Sequence, residues 1–207
     1  MTGTTKPSCG KAQALRSEDV TIFLARHGQT AYNHTRRFQG QMDVPLDETG
    51  RQQAKDLAVR VAGLGLVVLW ASPLARARQT AEAVSAHIGL PVRFDDRLKE
   101  TDTGIWTDRL YDEMAAEDPH AYQGFVGAHE DFGFEGGETY AEQGDRVMAA
   151  IADIEQGPRP ALVVSHGMVM RLALSRRTGE PWSISQSIPN TALIELPSTN
   201  GGQAAAG

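Results

Sequence analysis

Short apolar runs alternate with amphipathic stretches along most of the chain. Runs rich in branched and small apolar residues predict five strands, at 20–25, 66–71, 92–94, 161–165 and 191–196. Several of these runs are continuously apolar, which is typical of strands that are covered on both faces of a parallel sheet.

Helical patterns fill the intervals between these strands. One helix is predicted after Gly50, one after Pro73, and one from about 168 to 176. A fourth is predicted to begin at Thr139, which has capping-box spacing to Glu142. The clearest apolar stripe, with steps of three and four, consists of Leu74, Ala77, Ala81, Val84 and Ile88. Strands that alternate with helices predict an α/β fold: a three-layer α/β/α sandwich around a mostly parallel central sheet.

Residues 101–137 break this alternation. They hold aromatic side chains among glycines and acidic residues, namely Trp106, Tyr111, Tyr122, Phe125, Phe132 and Phe134. We expect an inserted lid segment with a small apolar cluster of its own. The ends, 1–19 and 197–207, are rich in small and polar residues and are predicted to be disordered, which leaves a single domain at 20–196.

Composition and charge limit the possible partners. With 207 residues, the chain is long enough for one well-packed hydrophobic core but short for two, so we expect one domain. Its formal net charge of −6 argues against a nucleic-acid surface, and no apolar run approaches the roughly 20 residues needed to cross a membrane. Cys9 is the single cysteine, so no disulfide framework is expected. We therefore expect a cytoplasmic protein that acts on a small molecule, either as a monomer or as a homodimer.

Cationic side chains follow three of the predicted strands. Arg26 and His27 follow the first, Arg76 comes shortly after the second, and His166 and Gly167 follow the fourth. Because ligands bind at the carboxyl ends of strands in open α/β sheets, we expect two imidazoles and two guanidiniums to meet there. Each residue alone has an ordinary structural interpretation, for example Arg76 as helix surface. Together they predict a site for a compact multivalent anion, most simply phosphate.

The residue types indicate phosphoryl transfer. A neutral imidazole can act as a nucleophile, and nearby arginines favour the neutral form. His27 is the preferred nucleophile, since the next residue, Gly28, would admit close approach, and His166 would stabilise charge on the transferring group. The leaving alcohol needs a proton donor, for which Glu100 is preferred over Asp102 and Glu138.

The ordered motifs resemble those of the histidine phosphatase superfamily, in its phosphoglycerate mutase-like branch. They are LARHGQTAYN, RFQG, PLDETGRQQA, SPLARARQTA, RLKETDTGIW, GGET and SHG. The resemblance implies that His27 becomes phosphorylated, that Glu100 is the acid, and that Arg26, Arg76 and His166 complete the catalytic set. It also places phosphate ligands at Asn33 and Gln39, and Gly40 and Gly167 complete the predicted phosphate-binding set.

We therefore predict a phosphomonoesterase that hydrolyses a small phosphorylated metabolite through a phosphohistidine. No metal or cofactor is expected, because the arginines supply the positive charge. A phosphoglycerate mutase-type isomerase is an alternative, although the longer insertion and ERHYG motif of dedicated mutases do not occur. A catalytically inactive phosphate-binding module is a second alternative. A metal site on His27 and His166 is a third, which the arginines would disfavour.

Overall fold

A computed structural model describes residues 21–181 and 186–198, and it contains one five-stranded sheet. The strands are β1 (Ile22–Arg26), β2 (Val68–Ala71), β3 (Val92–Phe94), β4 (Ala161–Ser165) and β5 (Leu193–Glu195). Their order is β3-β2-β4-β1-β5, and only β5 is antiparallel to its neighbour. The predicted mostly parallel sheet is confirmed. The bounds of β3 and β4 are as predicted, whereas β2 and β5 are shorter and β1 extends one residue further, to Arg26.

Seven α-helices lie in the described part of the chain. They are α1 (Ala31–Thr35), α2 (Glu48–Val61), α3 (Ala75–Ile88), α4 (Tyr111–Glu117), α5 (Pro119–Gly127), α6 (Tyr140–Glu155) and α7 (Gly167–Thr178). Helix α2 begins before the predicted Gly50, because the Asp47 side chain caps it by accepting from Gly50 N. The capping box between Thr139 and Glu142 opens α6 as predicted.

Two apolar cores, one on each face of the sheet, join the sheet to its two helix layers. Helices α6 and α7 pack on one face, against side chains that include Ala161 and Val163 of β4. Helices α2 and α3 pack on the other face, against Leu162 and Val164. Alternate residues of β4 therefore face opposite cores, which explains its continuously apolar sequence. The three-layer α/β/α architecture is confirmed.

The lid segment at 101–137 folds mainly as two short helices, α4 and α5. Its aromatic side chains belong to an apolar cluster that is distinct from the two sheet cores. Trp106, Phe125 and Phe134 pack with core residues from elsewhere in the chain, which are Phe38, Tyr140, Met168 and Leu172. The segment therefore has an apolar cluster of its own, as expected, but side chains from elsewhere in the chain complete it.

Within the described part of the chain, no helix combines the length and the apolarity that crossing a bilayer requires. The predicted disordered leader and almost all of the predicted tail lie outside the described residues.

Candidate active site

The sheet brings the ends of three strands together. Strand β4 lies between β1 and β2, and the backbone N–H of His27 donates to Ser165 O at 2.9 Å. His27 therefore sits beside His166, with 5.2 Å between the ring centroids. The prediction that the two imidazoles are neighbours is consistent with this geometry.

A cavity opens at this edge of the sheet. Most of the predicted site residues line it, namely Arg26, His27, Asn33, Gln39, Gly40, Arg76, Glu100 and Gly167. His166 is fully buried next to His27 and is not itself part of the cavity wall. The inner end of the cavity is therefore strongly cationic and polar.

The His27 ring is held in one orientation. Its Nδ1 lies 2.6 Å from Gly28 O, where it donates as an N–H, so Nε2 keeps its lone pair. Burial lowers the pKa of His27 well below 6.5, and the charges of Arg76 and Arg26 lower it further. The imidazole is therefore neutral and nucleophilic at physiological pH.

Gly28 supports this orientation through the backbone. A Cβ at Gly28 would lie 2.5 Å from Gly50 O, so only a glycine lets the segment after β1 approach α2 this closely. The Gly28 N–H donates to Thr80 Oγ1 at 3.0 Å. The expectation that Gly28 admits the substrate was wrong: the residue is not part of the cavity wall, and it admits the backbone of α2 instead.

His166 is positioned by Ser72, the residue that follows β2. The His166 Nε2 lies 2.8 Å from Ser72 Oγ, which also accepts from Leu74 N at 3.3 Å. This arrangement favours the Ser72 hydroxyl as donor to Nε2 and leaves the ring proton on Nδ1. The buried Nδ1 has no hydrogen-bond partner among the described residues. Burial, then Arg76 and His27, lower the pKa of His166 well below its usual value.

Two arginines are fixed at the inner end by backbone carbonyls. Arg76 donates to Met42 O at 2.9 Å and to Gly40 O at 2.8 Å, and Arg26 donates to Ile188 O at 2.5 Å. Burial lowers the pKa of Arg76 to about 10, so it stays charged at neutral pH. The Nε atoms of both arginines are buried without a partner among the described residues. The carbonyls thus hold the guanidiniums in place while their charge is left for an anion.

Thr30 orients the two amides of the site. Its hydroxyl lies 2.9 Å from Gln39 Oε1, and its backbone N–H donates to Asn33 Oδ1 at 3.1 Å. Asn190 Nδ2 also donates to Asn33 Oδ1, at 3.3 Å. Because these bonds occupy the amide oxygens, the amide NH₂ groups of Asn33 and Gln39 remain as donors for an anion.

Glu100 is the carboxylate that lines the cavity. Its Oε1 accepts from Thr101 N at 3.0 Å and from Gln143 Nε2 at 3.3 Å, while Oε2 has only a long contact of 3.5 Å with Met168 N. Oε2 is therefore the atom best placed to exchange a proton with a substrate.

The two competing carboxylates are engaged elsewhere. Glu138 forms an ion pair with Arg146, and Asp102 accepts from Gly104 N at 3.0 Å. Neither residue lines the cavity. The geometry thus favours Glu100 over both as the acid.

Sequence reasoning missed several polar residues of the site. Thr30, Ser72 and Gln143 act on other side chains of the site, and no local sequence pattern predicts such contacts. Arg171 lines the cavity directly. It lies four residues after Gly167, one turn further along the same helix face, and that spacing is a signal that could have found it.

A family model for the histidine phosphatase superfamily (branch 1) matches residues 22–206. The chain belongs to this superfamily. A probable phosphoglycerate mutase GpmB from Salmonella paratyphi B is 38% identical to it over 165 residues, which are 78% of this chain and 76% of the relative. The predicted family and the prediction of a phosphatase enzyme are confirmed.

Solved structures of other proteins share the fold, and one of them is a phosphatase. A mycobacterial glucosyl-3-phosphoglycerate phosphatase superposes with a TM-score of 0.77 and 28% identity, covering 84% of this chain and 88% of the other. YhfR of Bacillus stearothermophilus gives a TM-score of 0.74 and 32% identity, over 82% of this chain and 85% of the other. The predicted phosphoglycerate mutase-like architecture is confirmed by these similarities.

Proposed function

We propose that this chain hydrolyses a small phosphomonoester through a covalent phosphate on His27. The observation that carries the proposal is the state of this imidazole: its Nδ1 is bound to Gly28 O, and burial with two arginines keeps it neutral. A buried neutral imidazole beside cations has a lone pair available for attack on phosphorus.

In the first step, His27 Nε2 forms a bond to phosphorus and the ester P–O bond breaks. The departing oxygen carries the bond's electron pair and takes a proton from Glu100, whose Oε2 faces the cavity with few other contacts. The proton transfer matters most for alkoxide leaving groups, which are poor without it.

Positioning and charge stabilisation supply most of the catalysis, as expected for a loose phosphoryl transition state. Arg26 and Arg76 offset the phosphoryl charge, and the NH₂ groups of Asn33 and Gln39 with the N–H groups of Gly40 and Gly167 bind its oxygens. His166, buried beside His27 rather than in the cavity wall, stabilises the phosphoryl charge through its unpaired Nδ1–H, the tautomer that Ser72 favours.

In the second step, water attacks the phosphohistidine. Glu100, now a carboxylate, takes a proton from the water as the P–N bond breaks and its electron pair returns to His27 Nε2. Inorganic phosphate leaves, and the site is restored with Glu100 protonated. The positive charge in both steps comes from guanidinium groups.

Structures of a related phosphatase support a phosphate ligand. The mycobacterial phosphatase has been solved with VO3 and with inorganic phosphate. We place the reaction in the cytoplasm, with a small phosphorylated metabolite as the partner. A metal site on His27 and His166 is disfavoured, because the charges of Arg26 and Arg76 act on both imidazoles and would repel a cation.

Mutase activity is a second candidate, because curated relatives carry the name probable phosphoglycerate mutase. A mutase returns the phosphate to the substrate, whereas a phosphatase releases it. Incubation with 3-phosphoglycerate distinguishes them: we expect inorganic phosphate, and an isomer without phosphate release would favour the mutase.

Phosphate release from an aryl phosphate by the His27→Ala variant tests the proposal. We expect turnover to fall by at least about 10³-fold, since the nucleophile is lost. His87→Ala is the control, because His87 is exposed at the end of α3, and it should keep full activity. Comparable turnover by folded His27→Ala protein would refute the mechanism.

A further inference from the structure

A buried glutamine lies behind the proposed acid. Gln143 belongs to α6 and shares a helix face with the core residues Val147 and Ile151. Its side chain is fully buried. Burying an amide is costly unless its polar atoms are hydrogen-bonded, so the partners of this amide account for a polar residue at a core position.

Both polar ends of the Gln143 amide are hydrogen-bonded. Its Oε1 accepts from Thr101 Oγ1 at 2.5 Å, and its Nε2 donates to Glu100 Oε1 at 3.3 Å. The opposite orientation of the amide would place two acceptor oxygens, those of Gln143 and Glu100, against each other. The Thr101 hydroxyl therefore orients the amide so that its NH₂ group points at the proposed acid.

The backbone of Glu100 is held separately, one turn further along α6. Arg146 donates to Lys99 O at 2.7 Å and to Glu100 O at 3.1 Å. Gln41 Nε2 donates to the same Glu100 carbonyl at 3.1 Å. With the main chain fixed in this way, the remaining freedom of Glu100 lies in its side-chain torsions, which decide where the two carboxyl oxygens point.

The two carboxyl oxygens of Glu100 have different contacts. Oε1 accepts from Thr101 N at 3.0 Å and from Gln143, whereas Oε2 has a long contact of 3.5 Å with Met168 N. A proton on Oε1 would compete with these N–H donors for the lone pairs of that oxygen, so in the acid form the proton is carried by Oε2. Oε2 is the atom through which the proposed mechanism exchanges protons with the leaving oxygen and with water.

We propose that Gln143 is a positioning residue for this proton transfer: its amide, oriented by Thr101, holds Glu100 Oε1 and keeps the Oε2 proton facing the leaving group. This inference rests on the proposed phosphatase function with Glu100 as its acid. Gln143 does not line the cavity, so its effect on the reaction passes through Glu100.

The test compares two esters of similar size that differ in their need for a proton. Benzyl phosphate releases an alkoxide, which is a poor leaving group without protonation, and 4-nitrophenyl phosphate releases a stable phenolate. The kcat/KM is measured for both, because it reports the steps up to release of the alcohol and excludes hydrolysis of the phosphohistidine. We expect Glu100→Gln to lower it about 10²-fold or more for benzyl phosphate and less than about tenfold for 4-nitrophenyl phosphate.

Gln143→Met keeps the size of the side chain and removes the amide. We expect it to lower kcat/KM about 10- to 100-fold for benzyl phosphate and less than about threefold for 4-nitrophenyl phosphate, since a misplaced carboxyl affects only the transfer that needs it. A general loss of structure would lower both values alike. Gln156→Met is the matched control at the exposed end of α6, and it should leave both values unchanged.

Two further changes separate the role of the amide from that of its shape. Thr101→Val removes the hydroxyl that orients the amide and should reproduce the selective loss on benzyl phosphate. Thr101→Ser keeps the hydroxyl and should recover most of that loss. The double variant Glu100→Gln/Gln143→Met should lie within about twofold of Glu100→Gln alone, because two residues that act through one carboxyl are not additive.

Equal losses on both esters in folded Gln143→Met, or no loss on either, would overturn the inference. A selective loss that Gln143→Met adds to Glu100→Gln would also overturn it. If Gln143→Met does not fold, wild-type values in Thr101→Val would decide against the inference in its place. A Glu100→Gln variant that treats both esters alike would remove Glu100 as the acid, and the role of Gln143 with it. No turnover of either ester by the wild-type enzyme would instead count against the phosphatase function itself.

Discussion

At the scale of single residues, the site depends on side chains that do not touch the substrate in the proposed mechanism. Thr30 is the clearest example. It caps α1, and its hydroxyl and backbone N–H engage the amide oxygens of Gln39 and Asn33. Without these bonds, either amide could rotate and present an oxygen to the phosphate, which would repel it.

Replacing Thr30 by the isosteric valine removes the hydroxyl and leaves the shape almost unchanged. We expect KM for an aryl phosphate to rise roughly 5- to 30-fold, which corresponds to about 1–2 kcal/mol of lost anion binding. Steady-state kinetics and inhibition by inorganic phosphate measure the change. Thr35→Val is the matched control on the same helix, where the hydroxyl donates only to Ala31 O. Equal KM values in wild type and Thr30→Val would show that the amides are held by other means.

The sequence alone predicted the site residues that follow strands. It missed the residues whose hydrogen bonds orient those side chains. His27, Arg76 and His166 could be placed because strand ends converge in any parallel sheet. Thr30 and Ser72 act through contacts that depend on how the segments 28–47 and 72–74 fold. The aromatic lid was recognised by composition, but its packing on Tyr140 and Met168 depends on tertiary contacts.

At the scale of secondary structure elements, the contact between α2 and the segment that follows β1 sets the position of His27. Gly28 and Gly50 let the two backbones meet, and a Cβ on Gly50 would lie 2.0 Å from Gln29 O. The carbonyl of Gly28 is also the acceptor for His27 Nδ1. The orientation of His27, the proposed nucleophile, is therefore coupled to the packing of a helix.

Gly28→Ala should force this contact apart. We expect a loss of about 1–3 kcal/mol in the free energy of unfolding, typical of overpacking, together with a lower kcat. Urea denaturation and turnover of an aryl phosphate measure the two effects. Gly63→Ala is the control, because nothing lies within 4 Å of its Cβ position, and it should lose no stability. If Gly28→Ala were as stable and active as Gly63→Ala, the close contact would have no structural role.

The element predictions succeeded where periodicity was strong. Strand β4, which is fully buried, was predicted to the residue, and so was the start of helix α6 at its capping box. Helix α1 was missed because five residues are too few for a periodic signal, and α4 and α5 because aromatic residues obscured their pattern. The antiparallel direction of β5 follows from the path of the chain before Leu193, which periodicity does not reveal.

At the scale of the whole molecule, two neutral imidazoles buried among guanidiniums make folding sensitive to pH. His27 and His166 have pKa values well below 6.5 in the folded state, mainly because of burial. The unfolded chain binds protons on both residues below about pH 6.5, and the folded chain does not. Stability should therefore decrease as the pH falls below about 6.5, by up to about 1.4 kcal/mol per pH unit for each imidazole.

Urea denaturation between pH 6.5 and 5 measures this dependence. We expect His27→Gln to reduce the slope to roughly half, since one of the two buried imidazoles is gone. His87→Gln removes an exposed imidazole far from the site and should keep the wild-type slope. A slope in His27→Gln as steep as in the wild type would mean that buried histidines do not control the acid sensitivity.

Covalent capture of the phosphoryl group tests the central claim most directly. Glu100→Gln lacks the base for the second step, so reaction with an aryl phosphate that has a good leaving group should accumulate the intermediate. The protein is quenched in alkaline denaturant, digested and mapped by mass spectrometry. We predict an acid-labile phosphate on the peptide that contains His27. Phosphate on another residue, or release of the aryl alcohol by the wild-type enzyme with no labelled histidine in either protein, would contradict it.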